Sequence, residues 1–152
     1  MLDLFKNILT SDTFLTVVSG VLVFVAGQLF NEYFLKPIND YKKLRGKIAY
    51  SLTLYAYLYM NPVKYDEKNS EIEEASYNLR KLAAEVDAIV EVRPFGNIFI
   101  PKRKVLSEVS KKLIGLSNGF YDKNQVDRAD LNDVTRKNIY ALLKMKSQKD
   151  KK

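Results

Sequence analysis

The sequence predicts an all-α protein in which one N-terminal transmembrane helix precedes a cytoplasmic four-helix up-and-down bundle. Residues 13–31 contain no charged side chain. Four later segments repeat apolar residues at the spacing of amphipathic helices. Because the connections between these segments are short and no strand-like alternation persists, antiparallel packing in a bundle is favoured.

The uncharged run is long enough to cross a bilayer. A hydrocarbon core of about 30 Å needs roughly 20 mostly apolar helical residues, and we assign residues 13–35 to the span because Glu32 is the only charge between Asp12 and Lys36. Residues 1–12 are interpreted as a short interfacial segment. Two alternatives stay open: a buried core helix, which is usually shorter and amphipathic, and a cleaved signal peptide, which usually has a basic start.

The charges that flank the run predict its orientation. Lys6 is the only basic residue before it, whereas a cluster of basic residues follows. The positive-inside rule therefore predicts a single-pass membrane protein with the N-terminus outside and the C-terminal domain in the cytoplasm.

Residues 36–146 form the predicted bundle domain, and residues 147–152 form a basic tail. Pro37 is expected to end or kink the span. The predicted bundle helices cover residues 38–61, 70–93, 102–120 and 128–146, with Asn61-Pro62 as a stop and Ser70 with Glu73 as a capping box. The residues predicted to face inward are Ile38, Tyr41, Leu44, Ile48, Leu52, Tyr55 and Tyr59; Ile72, Ala75, Leu79, Leu82, Val86 and Ile89; Val105, Val109, Leu113, Leu116 and Phe120; and Leu131, Val134, Asn138, Leu142 and Met145.

Composition excludes several kinds of chemistry. The 152 residues include no cysteine and no histidine, which removes disulfides, thiolate chemistry, histidine bases and most zinc sites. We therefore expect no catalytic residue, no metal site and no cofactor. The formal charge of +7 is compatible with an anionic lipid surface or with RNA.

One face of the span carries small and amide side chains. Thr16, Gly20, Gly27 and Asn31 lie near one side of the helix, with Gln28 adjacent to it. Small residues let transmembrane backbones approach closely, and amides hydrogen-bond between helices. This face is predicted to associate with other copies, with the alternative that Gln28 and Asn31 simply lie near the headgroups.

Two further groups of residues are candidate binding elements. Lys102, Arg103 and Lys104 begin a predicted helix, where a bound anion would offset their unfavourable interaction with the helix dipole; a solvated surface is the simpler interpretation. Five tyrosines cluster around the first bundle helix, and such residues either stack on bases or pack at a wet boundary. They are Tyr50, Tyr55, Tyr57, Tyr59 and Tyr65.

The layout resembles a family of small bacterial single-span membrane proteins with HEPN-like helical domains, among them the pore-forming accessory membrane protein of type VI-B CRISPR systems. The resemblance rests on the Pro-interrupted junction at residues 34–38 and on the stretches at residues 46–50, 75–83 and 113–118. HEPN RNases use an Arg-x4-6-His motif near the last helix, and this chain has no histidine. Arg128 and Arg136 are the nearest arginines, so the resemblance implies a catalytically silent HEPN-like scaffold. It also implies that the membrane is the bacterial inner (plasma) membrane.

The expected function is that of a non-enzymatic membrane protein that forms homo-oligomers in the lipid bilayer, as a pore-forming or membrane-effector component of antiphage defence. Two alternatives stay open. One is a membrane-tethered RNA-binding domain that uses Lys102, Arg103, Lys104, Arg128 and Arg136. The other is an adaptor for a cytoplasmic protein partner.

Overall fold

The computed structural model describes residues 11–63, 69–92, 99–121 and 126–145. These residues fall into two compact units, Met1–Pro37 and Ile38–Lys152. In the described part every regular element is helical, apart from one isolated β-bridge between Val63 and Tyr121. The elements are α1 (Asp12–Phe30), a π-helical segment (Asn31–Leu35), α2 (Lys36–Leu54), α3 (Ala56–Met60), α4 (Ser70–Val92), α5 (Arg103–Asn118) and α6 (Val126–Leu142).

The first unit is built on α1, which is long and apolar enough to cross a membrane by length and composition. The helix begins where the Ser11 side chain accepts a hydrogen bond from the Phe14 backbone N–H at 3.3 Å, an N-cap that the acidic Asp12 reinforces in the first turn. None of its 19 residues is buried. The predicted interfacial segment at residues 1–12 lies mostly outside the described residues.

A π-helical segment, Asn31–Leu35, follows α1 and ends two residues before Pro37. The Lys36 backbone N–H donates to the carbonyl of Asn31, five residues earlier. Because Pro37 has no N–H to continue an α-helical ladder, the wider winding is placed where a regular hydrogen bond cannot form. The helix does not end at Pro37, because helical residues continue on both sides of it, and the change that the structure shows near Pro37 is the π-helical winding.

The second unit has one hydrophobic core, and most of the predicted inward-facing residues lie in it. Leu52, Tyr59, Ile72, Leu79 and Leu113 are essentially inaccessible to solvent. Ile38, Val105 and Ile89 are half-buried. The predicted helix over residues 38–61 is divided at Tyr55, which has φ −91° and ψ 14° and separates α2 from α3.

The predicted inward face of the last helix is wrong. Leu131, Val134 and Asn138 are exposed, and Leu142 and Met145 are only half-buried. The buried positions of this segment are Asn132, Ile139 and Leu143. The register is shifted by one residue because Asn132, a polar side chain, occupies the interior.

Asn132 explains the shift. Its amide nitrogen donates to the backbone carbonyls of Tyr59 and Gly119, each at 2.8 Å. These carbonyls stand where α3 and α5 end, so a single amide connects α6 to the ends of two other helices and satisfies acceptors that the helix ends leave open. Periodicity of apolar residues does not detect a buried polar contact of this kind.

The helices of the second unit pack against one another. The α4 and α5 helices pack against each other, α6 packs on α5, and the short α3 packs on α6. The predicted basic tail at residues 147–152 lies outside the described residues.

Candidate functional site

The predicted association face of the span is fully accessible. Thr16, Gly20, Gly27 and Gln28 are exposed on α1, and Asn31 is exposed at the start of the π-helical segment. At about 100° per residue, Thr16, Gly20 and Gly27 lie within about 40° of one another around the helix axis. A Cβ at either glycine would meet no atom within 4 Å. The face is therefore a shallow strip that another helix can approach.

Two hydroxyls near this strip are already satisfied within the helix. The Thr16 Oγ1 donates to the Asp12 carbonyl at 2.8 Å, and the Ser19 Oγ donates to the Thr16 carbonyl at 2.9 Å. Neither hydroxyl therefore needs a partner from another helix, and the donors left for such a bond are the amides of Gln28 and Asn31.

The polar end of the apolar helix is marked by an ion pair and an aromatic pair. The Lys36 Nζ lies 2.9 Å from Glu32 Oε2, one helical turn away. The rings of Phe30 and Phe34 stack with centroids 5.3 Å apart. The apolar run of α1 thus ends at charged side chains within two helical turns of Phe30.

The basic candidate residues are not brought together. Lys102 is the N-cap of α5, and Lys102, Arg103 and Lys104 are exposed. Arg128 lies one turn before Asn132, which contacts the opposite end of α5 at Gly119. Since the 16 residues of α5 extend about 24 Å, Arg128 and the Lys102–104 group belong to different ends of the unit.

Arg136 is held by an acidic neighbour. Its Nε and Nη2 donate to Asp133 Oδ1 at 3.1 and 2.6 Å, and Lys137 Nζ lies 2.6 Å from Asp133 Oδ2. The hydrogen bond from Lys137 lowers the pKa of Asp133, burial opposes that effect, and Arg136 adds to the lowering. Arg136 is thus part of a network of ion pairs within α6.

Arg128 differs from Arg136. Its Nε is buried and has no hydrogen-bond partner among the described residues. In the described part of the chain, the charges of Lys102, Arg103 and Lys104 also have no ion-pair partner. Arg128, like the Lys102–Lys104 group, therefore forms no ion pair with an acidic residue in the described part of the chain.

The tyrosines divide into two groups. Tyr55 and Tyr59 are buried, whereas Tyr50 and Tyr57 are exposed, and Tyr65 lies outside the described residues. The Tyr59 hydroxyl donates to the Leu52 carbonyl at 2.5 Å, and burial is the main cause that raises its pKa to about 12. Packing thus accounts for Tyr55 and Tyr59 but not for Tyr50.

A groove between α2 and α4 was not indicated by the sequence. Lys47 Nζ lies 2.8 Å from Glu85 Oε2, and Asn78 Nδ2 donates to the Tyr55 hydroxyl at 2.7 Å. As residue numbers rise along α2 they fall along α4, so these helices run antiparallel at the groove. The space encloses about 430 Å³ and is lined by Gly46, Lys47, Tyr50, Ser51, Asn78, Lys81, Leu82 and Glu85.

Comparison of the chain with protein-family models, curated proteins and solved structures gave no match. The resemblance to HEPN-like membrane proteins therefore stays a prediction.

Proposed function

We propose that this protein is a single-pass membrane protein that self-associates through its span. One observation carries the proposal: α1 is apolar along most of its length, carries no charged residue after Asp12 and has no buried residue. Val23 is 73% exposed and Phe24 is 66% exposed. Apolar surface of this extent needs a cover, and a lipid bilayer supplies one.

The length of the helix supports a span rather than surface attachment. The 19 residues of α1 extend about 28 Å, close to the hydrocarbon thickness of about 30 Å. A helix that lies in the membrane plane usually has one strongly polar face. The basic residues that follow α1 favour a cytoplasmic second unit and an external preceding segment.

Self-association is proposed to use the strip of Thr16, Gly20 and Gly27, with Gln28 and Asn31 as hydrogen-bonding groups. An interhelical hydrogen bond in a membrane contributes only about 0.6 kcal/mol on average. Close backbone packing along the small-residue strip must therefore provide most of the stabilisation, and several copies in a ring would multiply it.

The second unit is proposed to be a HEPN-like four-helix bundle without enzymatic activity. Packing of α4 on α5 and of α6 on α5, with the Lys47–Glu85 contact between α2 and α4, supports a bundle. The missing histidine supports a scaffold role. The resemblance to HEPN-like membrane proteins, rather than the packing, is the basis on which we propose a role as a pore-forming or membrane-effector component of bacterial antiphage defence.

The RNA-binding alternative has a narrower basis. Lys102, Arg103, Lys104 and Arg128 are not committed to described acids, yet they belong to different ends of the second unit. RNA binding through all of them would need a ligand that extends over about 24 Å or more. An adaptor for a cytoplasmic protein would use the same unit through its outer surface.

The mass of the assembly in nanodiscs tests the proposal. Gly20→Leu with Gly27→Leu should dissociate the oligomer, because the added side chains keep the backbones apart. Val18→Leu with Val25→Leu is the matched control, since these residues have the same seven-residue spacing on the opposite side of α1. A strictly monomeric wild type, or equal effects of both double variants, would contradict self-association through this strip.

A further inference from the structure

We propose that the groove between α2 and α4 binds a mononucleotide, with its phosphate at Lys81 and its base on the ring of Tyr50. The inference does not depend on the membrane proposal, because every residue of the groove belongs to the second unit. The volume of about 430 Å³ lies within the range of about 300–1,000 Å³ that is usual for small-molecule sites.

The charges of the groove favour an anion. Lys47 is already balanced by Glu85 at 2.8 Å. Lys81 lines the same groove, is exposed, and has no ion pair with any residue in the described ranges. A phosphate group would therefore meet an ammonium group whose charge is not yet compensated.

The groove also offers a flat aromatic surface. Tyr50 lines the groove and is 67% exposed, so its ring is accessible to a ligand in that space. A nucleobase that stacks on this ring would cover it, and such stacking tolerates any base. Inorganic phosphate or a simple glycerophosphate headgroup has no ring to place there, so a nucleotide fits this combination best.

Further polar groups surround the same space. The Ser51 hydroxyl and the Asn78 amide line the groove, and the Glu85 carboxylate can accept from a ribose hydroxyl in addition to its contact with Lys47. The ion pair between Lys47 and Glu85 and the hydrogen bond from Asn78 to the Tyr55 hydroxyl join the two sides of the groove.

Gly46 lines the groove on the α2 side. Glycine disfavours a helix interior, and a Cβ at Gly46 would meet no atom within 4 Å. Packing of the protein itself therefore does not require glycine at this position. The absence of a side chain leaves the groove accessible.

The test is equilibrium dialysis of the full chain, in nanodiscs of neutral lipid, against radiolabelled AMP, GMP, CMP and UMP. Saturable binding of these mononucleotides is expected. Lys81→Gln should raise Kd by about tenfold or more, because a charge-assisted contact is lost. Tyr50→Leu should raise Kd by at least about fivefold, because stacking is lost.

Gly46→Leu distinguishes occlusion of the groove from unfolding. It should abolish binding while the circular dichroism spectrum and unfolding midpoint are retained, because leucine favours a helix more than glycine does. Lys111→Gln, Tyr77→Leu and Gly115→Leu are matched controls outside the groove. They are also exposed, and a Cβ at Gly115 would likewise meet nothing within 4 Å.

Several outcomes would overturn the proposal. These are the absence of saturable binding, equal losses in groove and control variants, and competition by inorganic phosphate as strong as that by AMP. Competition by glycerol 3-phosphate as strong as that by AMP would identify a lipid-headgroup site instead. The oligomer mass described above is measured separately, so failure here leaves that experiment unaffected.

Discussion

Replacement of Asn132 tests whether one buried amide joins the last helix to the rest of the second unit. The side chain is 2% exposed, and its nitrogen donates to the carbonyls of Tyr59 and Gly119 at 2.8 Å. Asn132→Ala removes both bonds and leaves two acceptors near the ends of α3 and α5 without this partner. The substitution also opens space in a packed interior.

The expected loss is about 3 kcal/mol in the free energy of unfolding. Each net hydrogen bond contributes about 1 kcal/mol, and a buried polar group left without a partner costs about 1–3 kcal/mol. A loss of that size lowers the midpoint of thermal unfolding by roughly 10 °C for a domain of this size. Asn132→Asp should be at least as destabilising, because an ionised carboxylate accepts but cannot donate.

Chemical and thermal unfolding of the full chain in detergent, followed by circular dichroism, provides the measurement. Asn138→Ala is the matched control, because Asn138 is exposed on the same helix and should change stability by no more than about 0.5 kcal/mol. A loss below about 1 kcal/mol for Asn132→Ala, or equal effects at both positions, would refute the proposed connecting role.

Three further predictions concern the span, the ion-pair network and catalysis. Val23→Arg should reduce membrane insertion, because arginine at the centre of a span costs about 2.5–3.5 kcal/mol; a fully inserted variant in a glycosylation or fractionation assay would contradict this. The lowered pKa of Asp133 means that its contribution to stability is present above the unfolded pKa of about 4 and is lost as the pH falls through the lower folded pKa. Asp133→Asn should therefore be less stable than wild type near pH 7 by about 1 kcal/mol or less, since partly exposed ion pairs contribute little, and the difference should shrink toward pH 2 in urea titrations; a pH-independent difference would count against the network. Purified protein should leave single-stranded and structured RNA intact in gel assays, and metal-independent cleavage that is lost in Arg128→Ala or Arg136→Ala would show that another base replaces histidine.

The sequence predicted the helical class and most of the core because these follow from local periodicity. Leu44, Ile48 and Leu52 in α2, and Ile72 and Leu79 in α4, recur on one helical stripe and are buried as expected. Such patterns depend only on residues within one element. They therefore remain visible without knowledge of the partners.

The last helix shows where this reasoning fails. Leu131 and Val134 are apolar and correctly spaced, yet each is 52% exposed, while Asn132 is buried. The deciding contacts of Asn132 are with Tyr59 and Gly119, which lie 73 and 13 residues away in the chain and outside its own helix. Hydrophobic periodicity treats every polar residue as exposed. It therefore places the face with Leu131 and Val134 inside, although the adjacent face with Asn132 is the buried one.

The candidate sites divide in the same way. The span strip is visible in sequence because Thr16, Gly20 and Gly27 belong to one helix. The groove is not visible, since Gly46 and Lys81 belong to separate helices and become neighbours only through the packing of α2 and α4. The commitment of Arg136 to Asp133 is local, but opposite charges three residues apart do not by themselves show whether the pair forms.

Cysteine accessibility tests the central claim, that α1 crosses the membrane and the second unit is cytoplasmic. Because the native chain has no cysteine, each introduced thiol reports one position: Thr10→Cys before α1, Val23→Cys within it and Tyr77→Cys on an exposed site of α4. With a membrane-impermeant maleimide on intact spheroplasts, Thr10→Cys should react at once, Tyr77→Cys only after the membrane is permeabilised, and Val23→Cys only after denaturation. Reaction of Tyr77→Cys from outside would contradict the orientation, and ready reaction of Val23→Cys in native membranes would contradict the span itself.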